Sequence, residues 1–290
     1  MPADPHSSPS PPIKPKVFRH AGFRWEALDE AEQIIRSRDD WRAESLRRDL
    51  PDAIIHSRND ERFVFRTQLA GHEVAIKVQL APDYKPKLRS IYGRCKSRKE
   101  WEHHLVAVRH GFPTVAPLAL GEFRNPLAVH EAIFITRWQH NITTLLDWRR
   151  ARADRTGDAD ALWLATEFGR LAARTHQHGI YHEQMHGGNI LIHESNGDRT
   201  LMAVDWTHAR LRRHSVARDA QYLIRTDWFL QNGIYSLAPA VPTDTEKRTF
   251  LDAYLRATPD PRTQARLLAR LRSACPHSSW LPTEPPTTKE

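Results

Sequence analysis

Tyr181-His182-Glu183-Gln184-Met185-His186-Gly187-Gly188-Asn189-Ile190-Leu191-Ile192 and, beyond an Asn196-Gly197 pair, Leu201-Met202-Ala203-Val204-Asp205-Trp206 decide how this chain is read. The apolar run Ile190-Leu191-Ile192 predicts a strand with Asn189 at its entrance. Asn-Gly is the strongest short hairpin signal, because a two-residue hairpin turn needs positive φ at both central positions. Leu201 to Trp206 is then the returning strand, and it delivers Asp205 beside Asn189. An amide and a carboxylate placed together offer hard oxygens of the kind magnesium accepts, with water and phosphate completing its shell. From these residues alone, an ordinary hairpin with a polar loop stays open.

The stretch from His182 to Asn189 has the spacing of a phosphotransferase catalytic loop. Such a loop sets an acceptor-orienting carboxylate about five positions before a magnesium-binding amide, with a second metal ligand on the returning strand. One member differs: the carboxylate position is held by Gln184. An amide cannot take a proton from the acceptor hydroxyl, but it can hold that hydroxyl in line. Phosphoryl transfer is mostly positioning and charge neutralisation, and general-base help is worth about a hundredfold to ten-thousandfold. Glu183 is the alternative carboxylate if the loop is locally re-registered. Gln184, Glu183, Asn189 and Asp205 are therefore the catalytic candidates.

About a hundred residues upstream, Glu73-Val74-Ala75-Ile76-Lys77-Val78 is an apolar strand interrupted by one lysine. Val74 to Lys77 spells the strand that aims a lysine at nucleotide phosphates in kinases. A helix over Ser97 to Val108 follows and offers Glu100, with Glu102 as competitor, to hold that lysine. Only one of them can face it, since residues two apart on a helix point in different directions. The turn Ser57-Arg58-Asn59-Asp60-Glu61-Arg62 lies where a phosphate-covering loop belongs, yet it has no glycine to permit close backbone approach.

Taken in order, Val-Ala-Ile-Lys, the basic approach into Arg98-Lys99-Glu100-Trp101, Gly111-Phe112-Pro113-Thr114, His-x-x-x-His-x-Gly-Asn-Ile-Leu and Val-Asp-Trp resemble the lipopolysaccharide kinase (Kdo/WaaP) family over roughly residues 50 to 225. Its members are protein-kinase-like enzymes that phosphorylate heptose or Kdo sugars of the lipopolysaccharide inner core. The resemblance implies an α+β, bilobal protein-kinase-like fold, with a small antiparallel-sheet N-lobe, a mainly helical C-lobe and ATP between them. It implies that Lys77 contacts the nucleotide phosphates, that Glu100 pairs with Lys77, and that Asn189 and Asp205 bind Mg. His182 would be structural, and Asp219 would tie down the catalytic loop. The chain departs from the family pattern at Gln184, at the glycine-free phosphate loop and at Asp205-Trp206-Thr207, which lacks the usual Phe-Gly after the metal aspartate.

With 290 residues and 40% hydrophobic content, the chain is long enough for one bilobal domain or two small ones. The expected organisation is a tail over 1–16, an N-lobe over 17–138, a C-lobe over 139–275 and a second tail over 276–290. A helix over Asp29 to Arg48 precedes five strands, near Ala53–Ile55, Phe63–Gln68, Glu73–Leu80, Val115–Gly121 and Ala132–Thr136. Arg137-Trp138-Gln139 is the expected adenine hinge. Helices are expected over Ala161–His178, Asp219–Leu230, from a Thr243-Asp244-Thr245-Glu246 capping box, and over Ala265–Ser273.

The net charge of +8 favours anionic partners. One basic cluster, Lys85, Lys87, Arg89, Arg94, Lys96, Arg98 and Lys99, reads as a solvated face or as a surface for an anionic glycolipid or the inner membrane leaflet. A second, Arg210 to Arg218, lies where the acceptor would arrive. No nucleic-acid motif is present. Two cysteines without paired spacing, and no signal peptide or spanning segment, fit a cytoplasmic protein. The histidines lack zinc-hydrolase spacing, and there is no Gly-x-Ser-x-Gly elbow. The expected activity is ATP-dependent transfer to a sugar or glycolipid hydroxyl. The alternatives are a pseudokinase that serves as a nucleotide-binding or regulatory module, and a small-molecule phosphotransferase.

Overall fold

A computed structural model describes residues 13–50, 54–57, 62–80, 95–124, 128–155, 157–231, 241–278 and 280–282. The chain divides into two compact units, Met1–His140 and Asn141–Glu290. The phosphate-loop residues Arg58 to Glu61, the cluster members Lys85, Lys87, Arg89 and Arg94, and most of both expected tails lie outside the described residues.

The first unit is built on a seven-stranded antiparallel sheet. Its strands are β1 (Lys16–His20), β2 (Phe23–Ala27), β3 (Ile54–Ser57), β4 (Arg62–Leu69), β5 (His72–Leu80), β6 (Pro117–Arg124) and β7 (Val129–Arg137), in the order β1-β2-β6-β7-β5-β4-β3. Five of them stand where the sequence predicts strands, and the β1–β2 hairpin is additional. Lys16, read as the last residue of a tail, opens β1 and pairs with Ala27.

Period-two alternation assigns each face of this sheet. Val74, Ile76 and Val78 of β5, with Phe63, Phe65, Ile133 and Ile135, point to one side and form the main core with Ile34, Ile35, Trp41 and Leu46. On the other side, Leu120 and Phe134 pack on Trp101 of helix α3 (Lys96–Arg109). The single helix expected over Asp29 to Arg48 is instead two, α1 (Ala31–Arg36) and α2 (Ala43–Asp49). The chain turns between them because Trp41 is worth more buried than on a continuous exposed helix face. Its ring is fully buried against Trp25, 5.2 Å away, and its Nε1 donates to Ile35 O at 3.0 Å.

The second unit is mainly helical: α4 (Leu145–Arg150), α5 (Ala159–Gln177), α6 (Val216–Gln231), α7 (Asp244–Ala257) and α8 (Pro261–Ala274). Thr243 and Glu246 form the expected capping box, and Glu246 also receives the buried Arg149 guanidinium at 3.0 Å. Two small sheets carry the loop region. One has the order β11-β10-β8, with β8 (Ile142–Thr144), β10 (Ile190–Ser195) and β11 (Asp198–Ala203). The other pairs β9 (Ile180–His182) with β12 (Ala209–Leu211). The stretch read as a C-terminal tail still packs at its start, where Arg272 Nε donates to Pro282 O at 3.1 Å. No helix among the described residues is long and apolar enough to cross a membrane.

Candidate active site

In the first unit, strand alternation puts Val74, Ile76 and Val78 into the core and turns Lys77 to the α3 side. Lys77 Nζ donates to both carboxylate oxygens of Glu100, at 3.0 and 2.7 Å. Glu100, rather than Glu102, is the carboxylate that reaches it. Glu100 is buried, whereas the Lys77 side chain keeps 32% of its exposure, so the lysine is fixed in direction and still accessible. At the expected hinge, Trp138 N–H donates to Glu73 O at 3.0 Å, and the Arg66 guanidinium lies over the Trp138 ring.

In the second unit, Asn196 and Gly197 both have positive φ, at 52° and 84°, and close the β10–β11 hairpin with Ile190 opposite Ala203. The regular strand stops at Ala203, three residues before the expected end. Val204 N–H still bonds Asn189 O at 3.0 Å, so Asp205 stands one residue past the partner of Asn189. Its backbone is left-handed, φ 56° and ψ 57°. For a residue other than glycine such a conformation costs about 1 kcal/mol or more and persists only where the surroundings impose it, often at functional sites.

The loop between β9 and β10 is tied internally. Asn189 Nδ2 donates to Gln184 O at 3.0 Å and lies 3.3 Å from His186 Nε2. One amide hydrogen is thus directed into the loop; His186 Nδ1 accepts from Gly188 N–H at 3.2 Å, so its Nε2 carries the proton and lies against the amide without accepting from it. His182 Nδ1 accepts from Gln184 N–H at 3.3 Å, so its proton sits on Nε2, which donates to Val204 O at 2.9 Å. Burial pushes the His182 pKa down, and the Asp205 charge acts in the opposite sense. Burial also pushes His186 down to about 4, again against the pull of Asp205. The Asp205 carboxylate is therefore an electrostatic neighbour of both histidines, one of which touches Asn189. An amide oxygen and a carboxylate fit magnesium, which prefers hard oxygens and few of them from protein.

Gln184 is half-buried, and among the described residues its side chain makes no hydrogen bond. Glu183, its neighbour, faces other partners. Its Oε1 accepts from Arg210 Nε at 2.7 Å and Tyr222 OH at 3.2 Å, with Arg225 Nη1 at 3.8 Å. Asp219 is buried and accepts from Tyr181 OH at 2.8 Å, while its other oxygen meets His214 Nε2 at 2.8 Å. It thereby ties the residue preceding His182 to α6.

Sequence reasoning did not find the packing of His186 against Asn189, the Arg210–Tyr222–Arg225 cluster around Glu183, or the burial of Arg98. The last overturns part of the basic-surface reading: the Arg98 side chain is only 12% exposed and is paired with Glu26 and Glu122. Lys96 and Lys99 do remain exposed. The His-x-x-x-His spacing within the loop was the signal available for His186.

A family model described as lipopolysaccharide kinase (Kdo/WaaP) family matches residues 56–226, which leaves β1 and β2 upstream of the match. No curated protein sequence matches the chain. Among solved structures, one described as WaaP in complex with acyl carrier protein aligns with a TM-score of 0.54 and 19% identity, covering 78% of this chain and 88% of that one. At that identity the likeness speaks for the fold: α+β, an antiparallel sheet followed by a mostly helical part. Since the family match spans more than half of the sequence, the chain belongs to the lipopolysaccharide kinase (Kdo/WaaP) family.

Proposed function

We propose that this kinase-family phosphotransferase uses ATP and Mg to phosphorylate a hydroxyl of an anionic sugar or glycolipid, of the lipopolysaccharide-core heptose or Kdo type. Lys77, held by Glu100, supplies positive charge to the nucleotide phosphates. Asn189 Oδ1 and the Asp205 carboxylate hold magnesium, which when bound neutralises charge on the phosphates. Gln184 orients the acceptor hydroxyl without taking its proton, so the reaction is slow. The proton leaves to solvent or to the transferred phosphoryl oxygens, as a loose transition state permits. The Glu183 carboxylate, already shared by Arg210, Arg225 and Tyr222, serves the loop in this reading more than it serves as a base.

The observation that supports the reading is the Asn189 amide, tied through Nδ2 to Gln184 O, on a residue whose carbonyl pairs with Val204 next to the left-handed Asp205. The enzyme would act in the cytoplasm, with exposed Lys99 turned to an anionic membrane surface. A carrier protein, the partner named for the WaaP structure, is a further partner to test by co-purification. The replacement of the base by Gln184 favours a second reading, a pseudokinase that binds nucleotide without transfer. Incubation with ATP, magnesium and core oligosaccharides, followed by mass spectrometry, separates the two. A gain of one phosphoryl mass on a sugar supports the kinase, and nucleotide binding with no transfer to any acceptor supports the pseudokinase.

A further inference from the structure

Helix α3 carries Glu100, yet its own sequence holds its start poorly. There is no acidic residue in the first turn, where the helix dipole favours one, and the cap is the Cys95 sulfur, accepting from Arg98 N–H. Arg98 itself puts a positive charge in that turn, against the dipole. What holds it there is tertiary. Arg98 Nη1 meets Glu26 Oε1 at 2.7 Å and Nη2 meets Glu122 Oε2 at 2.9 Å. Trp101 Nε1 donates to the other Glu26 oxygen at 3.3 Å.

The arrangement is built rather than incidental. Glu122 has no exposed side-chain surface, and Arg24 and Arg124 flank the two carboxylates at 2.6 and 2.8 Å. Strand β2 comes close enough because Gly121, opposite Trp25 in the register, has no side chain. A Cβ there would fall 2.6 Å from the Trp25 ring. Trp25 points into the core, so alternation turns Glu26 to the α3 side. Ser97 Oγ, one residue before Arg98, bonds Gln79 of β5 at 3.2 Å. A rotation of α3 that withdrew Glu100 from Lys77 would have to break contacts to β2 and β6 as well as to β5. Buried ion pairs add little net stability compared with apolar packing, and their best-attested use is to fix register.

We propose that Glu26, on a hairpin upstream of the family-matched stretch, is a positioning residue for the Lys77–Glu100 pair, acting through Arg98 and Trp101 to hold the α3 rotation that presents Glu100. This rests on the reading of Lys77 as the phosphate contact. The test is a double-mutant cycle on the full chain with Glu26→Gln and Glu100→Gln, read by titration with a fluorescent ATP analogue and, where turnover is measurable, by KM for ATP and kcat. E26Q should weaken nucleotide binding about tenfold while kcat changes less than about twofold, and in the E100Q background it should add almost nothing. Hydrogen exchange should quicken in residues 96–109 of E26Q and stay unchanged in β4 and β5. Independent, additive losses would show Glu26 to be merely structural and overturn the inference. Should E26Q fail to fold, Trp101→Phe, which deletes the donor to Glu26 together with part of a buried ring, must show the same coupling to E100Q at about twofold to threefold, and additivity there overturns it equally. A wild-type protein that binds no nucleotide would remove the Lys77 reading, and this inference with it; binding with additive losses would remove the inference alone.

Discussion

The two units fix their chemical groups by different means. Around Glu100 the structure uses charge: Arg98, Glu26, Glu122, Arg24 and Arg124 form one partly buried ionic cluster. Around Asn189 and Asp205 it relies more on hydrogen bonds of uncharged side chains, His182 to Val204, Gly188 to His186, Tyr181 to the Asp219 carboxylate and His176 to Tyr254, with one ion pair, Arg210 on Glu183. The contrast follows from the task. A lysine that must stay charged is well served by charged neighbours. Around the loop, burial keeps His176, His182 and His186 neutral, and the guanidinium groups of Arg210 and Arg225 are taken up by Glu183.

The heaviest blow to this arrangement is Asp205→Asn. Asparagine tolerates the left-handed backbone as well as aspartate does, so the fold should survive with its melting temperature little changed. Removing the charged cation ligand should nevertheless lower transfer about a thousandfold, on the scale of losing a key electrostatic stabiliser. Retention of more than a tenth of the wild-type rate would show that the cation is held elsewhere.

Acid should separate the two kinds of support. Burial pushes His176 down to about 4 from 6.5, so the unfolded chain binds more protons between those values. Its contribution to stability is complete above about pH 6.5, declines as pH falls through the window and is gone below about 4, a loss of about 3 kcal/mol. Glu26 and Glu122 behave differently. Burial raises both, but hydrogen bonds to Arg98 and its neighbours prevail and their pKa values end below 4.5. Their contribution is complete above 4.5 and is lost only as pH drops further. Hydrogen-exchange free energies at pH 7, 5.5 and 4.5 should therefore fall in α5 while β5 to β7 hold. A parallel decline in both units would break the comparison.

What the sequence makes legible divides along the same line. The Asn189–Asp205 hairpin, Lys77 and the Glu100 helix can be read because each is a local pattern, a turn signal or a strand with one misplaced charge. Arg98 reads as one more surface cation, since its partners Glu26 and Glu122 are brought to it only by sheet order. The β1–β2 hairpin is missed for two reasons: its turn is Ala21-Gly22 rather than Asn-Gly, and it adjoins a Pro/Ser-rich stretch that masks the alternation of Phe23, Trp25 and Ala27. The packing of His186 against Asn189 depends on how the loop folds back on itself, which spacing does not encode. Likewise, the meeting of Glu183 with Arg210 and Tyr222 joins residues far apart in the sequence, which the loop's own spacing does not encode.

Two loop substitutions sharpen the neutral side of the contrast. Gln184→Asp restores a proton acceptor at the position that orients the hydroxyl, and transfer should rise about a hundredfold, the low end for general-base help. An unchanged rate would mean that Gln184 does not face the acceptor. His186→Ala should have the smaller effect, because the Asn189 amide keeps its bond to Gln184 O and loses only the ring that packs beside it and accepts from Gly188 N–H. Groups that orient metal ligands are worth about tenfold to a hundredfold in metal affinity, and with the bond to Gln184 O left the lower figure applies. Manganese binding followed by electron paramagnetic resonance should show about a tenfold weaker site, and raising the metal concentration should restore transfer. His186→Gln, whose amide oxygen can still accept from Gly188 N–H as Nδ1 does, should recover most of the affinity. If Ala and Gln weaken the ion equally, then the imidazole only fills space, and Asn189 is held by the backbone of its own loop.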